Sequence, residues 1–238
     1  MTDIVLPAHP IGSRVPLLDG PDKLMGRARY TADLPAQGAL AGKILRSAKG
    51  HAEIVAVDTS TAEAMPGVVA VVTGIDCDKT FGVLPIAMNE FPLARDRVRY
   101  RGEPVAAVAA RDEATALAAL KQIKVTYKEL PAYYSTAEAM APDAVDLHDK
   151  RPGNVERRTE FDLGDVDGGF AKAALVHEDT YRCAEVCQVQ IEPHAALAEY
   201  DAERDQLTVQ CSTQVPYYVH LMLARCLDMP KSKAAGEH

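Results

Sequence analysis

Gln214 is the residue best placed to hold something other than protein. It follows an alternating segment, in which Leu207, Val209 and Cys211 interleave with Thr208, Gln210 and Ser212. Pro216 comes two residues later, and proline suits a first helical turn. A strand-to-helix turn therefore carries the amide. A helix start offers unpaired N–H groups and a field that favours anions. A glutamine there adds an uncharged donor and acceptor. The arrangement suits an oxo or hydroxo group on a metal cofactor, although from spacing alone simple capping of the helix is the default reading.

The other constellations are weaker. Glu192-Pro193 lies between two apolar stretches, where Glu192 can act as an acid or base or form a structural salt bridge. Arg95, Arg97, Arg99 and Arg101 alternate and would share one strand face. Such a row binds phosphates or an acidic partner, or it keeps an edge strand solvated. Cys183 and Cys187 could share one face of a strand, but no second pair completes a four-ligand zinc site, so they read as buried structural thiols. The acids from Asp162 to Asp167 resemble a calcium loop. Counting from Gly168, however, puts Leu163 and Ala174 at the first and last ligand positions. A turn with a helix cap explains those acids better. There is no Gly-rich phosphate loop of the Walker or dinucleotide type and no serine hydrolase elbow.

The elements that must position these residues fall into two groups. Residues 1–19 read as an extended arm. Strands are expected over Ala39–Ser47, Glu53–Asp58, Val68–Thr73 and Val105–Ala110, the last two well buried. Ser60 and Glu63 have capping-box spacing, and Asp112 can cap a helix over Glu113–Gln122. Ile123, Val125 and Tyr127 mark a half-buried strand that Leu130-Pro131 closes. This first domain spans about residues 20–133. A connection follows over 134–158, with a short helix at Thr136–Met140. The last group, 159–238, opens with a short helix after Gly164-Asp165. Strands are expected over Val176–Cys183, Ala195–Tyr200 and Leu207–Ser212, then a helix over Tyr217–Leu227 and a polar tail over Lys231–His238. The class is α+β.

Bulk properties narrow the functions. The 238 residues are 47% hydrophobic and 25% charged, which is ordinary for a globular protein. A net charge of -8 argues against nucleic-acid binding. No apolar run is long enough to span a bilayer, and the N-terminus does not read as a signal peptide. Five scattered cysteines fit a reducing cytoplasm.

Several ordered motifs carry a resemblance. They run from Arg14-Val-Pro-Leu-Leu-Asp19-Gly20 through Lys23–Asp33, Leu45-Arg46-Ser47 with His51–Ile54, and Val98–Val108 to Val125–Pro131. Gly164-Asp165, Ala171–Glu178, Glu192-Pro193 and Ser212-Thr213-Gln214 continue the series. Together they resemble molybdopterin-binding subunits of the xanthine oxidase family. The resemblance implies an α/β hammerhead domain followed by the incomplete start of a molybdenum-cofactor-binding domain. It implies a molybdopterin-type cofactor, with iron–sulfur clusters and FAD in partner subunits. It assigns Gln214 to the family glutamine near the molybdenum oxo group, and it places the next, Gly-rich cofactor loop beyond position 230. This chain alone is therefore expected to be inactive. Where the family often has a histidine before Glu192-Pro193, this sequence has Gln188 and Gln190.

Within the family, Phe81–Ala87, Asn89–Asp96 and Thr213–His220 look most like α subunits of 4-hydroxybenzoyl-CoA reductases. That likeness implies reductive dehydroxylation of an aromatic CoA thioester. Two other readings stay open: a hydroxylase subunit for aldehydes, purines or N-heterocycles, and a non-catalytic docking module that uses the arginine row.

Overall fold

The computed structural model describes residues 11–82 and 87–237. Its helices are α1 (Gly20–Leu24), α2 (Ser60–Glu63), α3 (Glu113–Leu120), α4 (Thr136–Ala139), α5 (Val166–Lys172) and α6 (Pro216–Cys226). Its strands are β1 (Ala41–Arg46), β2 (Ala52–Asp58), β3 (Val68–Thr73), β4 (Arg97–Val98), β5 (Pro104–Ala110), β6 (Lys124–Glu129), β7 (Ala196–Asp201), β8 (Gln206–Cys211) and β9 (Ala234–Glu237). Contacts divide the chain into two compact units. One holds residues 40–77 and 91–189, and the other holds the remaining segments.

The first of these units contains two three-stranded sheets, ordered β1-β5-β3 and β4-β2-β6. β5 lies between β1 and β3, antiparallel to both, with Val108 opposite Lys43 and Val71. Its Ala106, Val108 and Ala110 pack with Ala62, Ala116, Ala119 and Ile123. Small alanines let α3 lie close to the sheet, so few large side chains are needed. Asp112 caps α3 as expected, its carboxylate accepting from Thr115 N at 2.7 Å. A second buried cluster joins Ala52 and Val98 of the second sheet to Ala94 and to Val105 of β5.

Three expectations for this unit change. β3 is an edge strand, and Val69 and Val72 are exposed, so the β-branched run is buried on one face only. The residues from Ser60 to Glu63 do form a helix, but through other side chains. Asp58 accepts from Ser60 N and Ser60 Oγ, while Thr59 Oγ1 donates to Glu63. The arginine row becomes strand only at Arg97–Val98, with Val98 fully buried between two half-buried arginines. Arg97 Nη1 donates to Asp146 O at 3.1 Å and Arg99 Nε to Leu147 O at 2.9 Å. Two of the four arginines thus hold the connection onto the sheet, while Arg95 and Arg101 stay exposed.

The connection is tightly bonded. Asn154 accepts from Leu147 N and donates to Ala139 O and Val145 O. Ser135 caps α4. Asp165 caps α5, accepting from Gly168 N at 2.8 Å, which explains the acids that mimic a calcium loop. Beyond α5 the expected strand over Val176–Cys183 does not form. The backbone there pairs with no described strand, and Cys183 and Cys187 are exposed rather than buried.

In the other unit, β7 and β8 form an antiparallel hairpin, and β9 pairs parallel to β8. The tail from Lys231 is therefore a 3₁₀ turn and a strand, not loose polar chain. Leu207, Val209, Ala224 and Ala234 are its buried apolar residues. Residues 1–10 of the expected arm lie outside the described residues, and α1 follows the rest of it.

Candidate functional site

The site is built where β8 passes into α6. Cys211 is the last ladder residue, opposite Ala196. Ser212 extends the pairing by one step, because its N–H donates to Ala195 O at 3.0 Å. Its hydroxyl accepts from Ala195 N at 3.0 Å and donates to Pro193 O at 3.0 Å. Thr213 Oγ1 accepts from Val215 N at 3.2 Å, turning the chain toward α6. Gln214, between them, is exposed and makes no hydrogen bond among the described residues. α6 then runs 11 residues from Pro216, with no side-chain cap and no acid in its first turn.

Gln214 is not the cap of α6. Val215 occupies that position, and the glutamine amide stays available. The bonds of Ser212 bring the Glu192–His194 segment beside this turn, although the two lie in different parts of the sequence. Glu192 is half-buried, and His194 is in close contact with Gln190 Nε2. Sequence reasoning singled out Gln214 and Glu192 and placed Ser212 in a motif, but gave Ser212 no role of its own. The signal available was a hydroxyl immediately after the last alternating position of a strand, where it can complete a ladder.

Tyr217 and Tyr218 project from the first turn of α6, with ring centroids 6.0 Å apart. At the end of β8, burial pushes the Cys211 thiol up from its usual range. Away from it, a cleft of about 480 Å³ is lined by Glu53, Asp96, Arg97, Arg99 and Asp149, among others. Its mixed charges, with both arginines already bonded to carbonyls, do not make an anion site.

A neutral amide beside a helix start without acids fits one edge of a site for a large anionic cofactor. Among the described residues, no group of three or more His, Cys, Asp or Glu side chains could hold a bare metal ion. The fold and this turn define a hammerhead domain joined to part of a cofactor-binding domain.

Comparison with known proteins gives the same class. Residues 25–131 match the model "Aldehyde oxidase and xanthine dehydrogenase, a/b hammerhead domain", and residues 147–235 match the "Molybdopterin cofactor-binding domain". A probable xanthine dehydrogenase subunit of Bacillus subtilis is 41% identical over 90% of this chain and 28% of its own length. The nicotinate dehydrogenase large molybdopterin subunit of Eubacterium barkeri is 34% identical over 94% of this chain and 52% of its own. The crystal structure of quinoline 2-oxidoreductase from Pseudomonas putida 86 superposes with a TM-score of 0.82 at 32% identity, covering 97% of this chain and 30% of that one. Residues 25–131 and 147–235 thus carry two consecutive domains of the xanthine oxidase family of molybdopterin-binding large subunits. The chain spans between about a quarter and about half of the length of these relatives.

Proposed function

We propose that this chain forms the hammerhead and part of the cofactor domain in the large subunit of a molybdenum hydroxylase acting on a purine or another nitrogen-containing aromatic ring. Residues 20–133 form the hammerhead, and 159–238 begin the cofactor domain. The observation that carries the reading is the exposed Gln214 amide before α6, unpartnered among the described residues and inside the stretch that matches a molybdopterin cofactor-binding domain. Gln214 would hold one edge of the cofactor. When bound, the cofactor supplies two-electron redox chemistry. The protein's part is orientation: Ser212 and Thr213 fix the turn, and Gln214 offers an oriented donor where an anionic oxygen can sit.

The names of several relatives support this substrate class over the aldehydes and carbon monoxide that other matched proteins are named for. The names xanthine, nicotinate and quinoline share a flat ring containing nitrogen. Exposed aromatic side chains such as Tyr217 and Tyr218 suit a flat partner. Electrons would leave through iron–sulfur and FAD partner subunits, with the enzyme working in the cytoplasm. Among the described residues, no helix is long and apolar enough to cross a membrane.

The second reading, reductive dehydroxylation of 4-hydroxybenzoyl-CoA, rests on the likeness of Phe81–Ala87, Asn89–Asp96 and Thr213–His220. Residues 83–86 of the first segment lie outside the described residues. A docking role for the arginine row now rests on Arg95 and Arg101. The native complex should be assayed with xanthine, nicotinate, an aldehyde and 4-hydroxybenzoyl-CoA. Turnover of an N-heterocycle supports the first reading; turnover of the CoA thioester alone replaces it with the second.

A further inference from the structure

We propose that Ser212 is a positioning residue that locks the Glu192–His194 segment to the Gln214 turn, so that both present to one site. The inference rests on the reading of Gln214 as a cofactor contact and extends it to residues that reading does not use.

The regular ladder ends at Ala196 opposite Cys211. Past that pair, nothing in strand geometry requires the two chains to stay together. Ser212 keeps them together with three groups. Its N–H donates to Ala195 O, its hydroxyl oxygen accepts from Ala195 N, and its hydroxyl proton goes to Pro193 O, all at 3.0 Å. Ala195 O lies 3.4 Å from the same hydroxyl and is the poorer acceptor. One hydroxyl thus takes the place of a further ladder step and reaches two residues further, to a carbonyl whose own residue, a proline, has no N–H to give. Glu192 is next to Pro193, and Gln214 is two residues from Ser212. The next side chain, Thr213, accepts from Val215 N and fixes the turn from the other end. Gln214 is therefore free at its own side chain but held on both flanks, the condition for an oriented contact rather than a mobile one.

Ser212→Ala removes the lock and leaves the strand. Ser212→Thr retains the hydroxyl. Amide hydrogen exchange of this chain reads the lock directly. In Ser212→Ala, exchange at Ala195, whose N–H loses its acceptor, should rise at least tenfold, while Leu207 and Val209 in β8 stay protected. Ser212→Thr should restore wild-type protection. In the native complex, Ser212→Ala should lower molybdenum content or kcat by about tenfold, with KM changed less than twofold. Unchanged exchange in Ser212→Ala, or Ser212→Thr behaving like Ser212→Ala, would overturn the proposal. Increased exchange with full molybdenum content and wild-type kcat would overturn the positioning role as well. The complex carrying Gln214→Ala separates the two readings. If it too keeps its molybdenum and rate, the cofactor contact itself is wrong, whatever Ser212 does.

Discussion

The Ser212 hydroxyl donates to the Pro193 carbonyl at 3.0 Å across a sequence separation of 19 residues. That bond joins a segment without regular structure to the turn that opens α6. It also explains how two stretches singled out separately in the sequence, Glu192-Pro193 and Ser212-Thr213-Gln214, reach one place. Contacts of this kind depend on where strands end, and they set which side chains remain available to a ligand.

Core packing should respond by face. Val108 is 1% exposed and meets α3, so Val108→Ala should destabilise its unit by about 2 kcal/mol. Val72 is 40% exposed on an edge strand, and Val72→Ala should cost less than about 0.5 kcal/mol. Urea unfolding midpoints of the two variants measure the contrast.

Helix α3 depends on its cap. Asp112→Ala removes the acceptor for Thr115 N and should lower the melting temperature by about 2–4 °C. Asp112→Asn keeps an acceptor and should recover most of the loss. A thermal melt followed by circular dichroism checks both.

Acid stability follows from the same carboxylate. The bond from the Thr115 backbone, then the Thr115 side chain and Arg111, holds the Asp112 carboxyl below the usual carboxylate range. A depressed carboxyl contributes stability above its ordinary value near pH 4, and that contribution is lost as pH falls through the lower folded value. Asp112→Asn should therefore show a shallower loss of melting temperature below about pH 4 than the wild-type chain. The side chain is exposed, so the difference should shrink in high salt. Equal acid slopes would show that this cap does not contribute.

Cysteine labelling should follow exposure and protonation. Cys183 and Cys187 are exposed, whereas Cys211 is partly buried and its thiol is pushed up by desolvation. With iodoacetamide at pH 8, the first two should be modified well before Cys211. Mass spectrometry of timed digests gives the order.

Much of this architecture was legible because local rules and tertiary packing agree. β5 was readable from an unbroken apolar run, α3 from Asp112, and β8 from strict alternation. The failures have specific causes. The Val68–Thr73 run does not reveal that β3 sits at a sheet edge. The alternating arginines do not reveal that Arg97 and Arg99 are used by carbonyls of the connection. Val176–Cys183 has strand composition but no partner strand among the described residues, and composition alone makes no ladder. β9 is short and made of small residues with no β-branched side chain, and it forms because β8 offers an edge for it to pair with. At the site, Gln214 stood out through its place between strand and proline. Ser212 did not, because its partners are distant in sequence.

The account is tested most directly by the molybdenum content of the native complex that contains this chain, measured by elemental analysis for the wild type and for Gln214→Ala. It predicts about one molybdenum per chain in the wild-type complex, and a kcat about 10²-fold lower, or a loss of molybdenum, in the variant. A wild-type complex without molybdenum, or a variant with full metal and full rate, would contradict it.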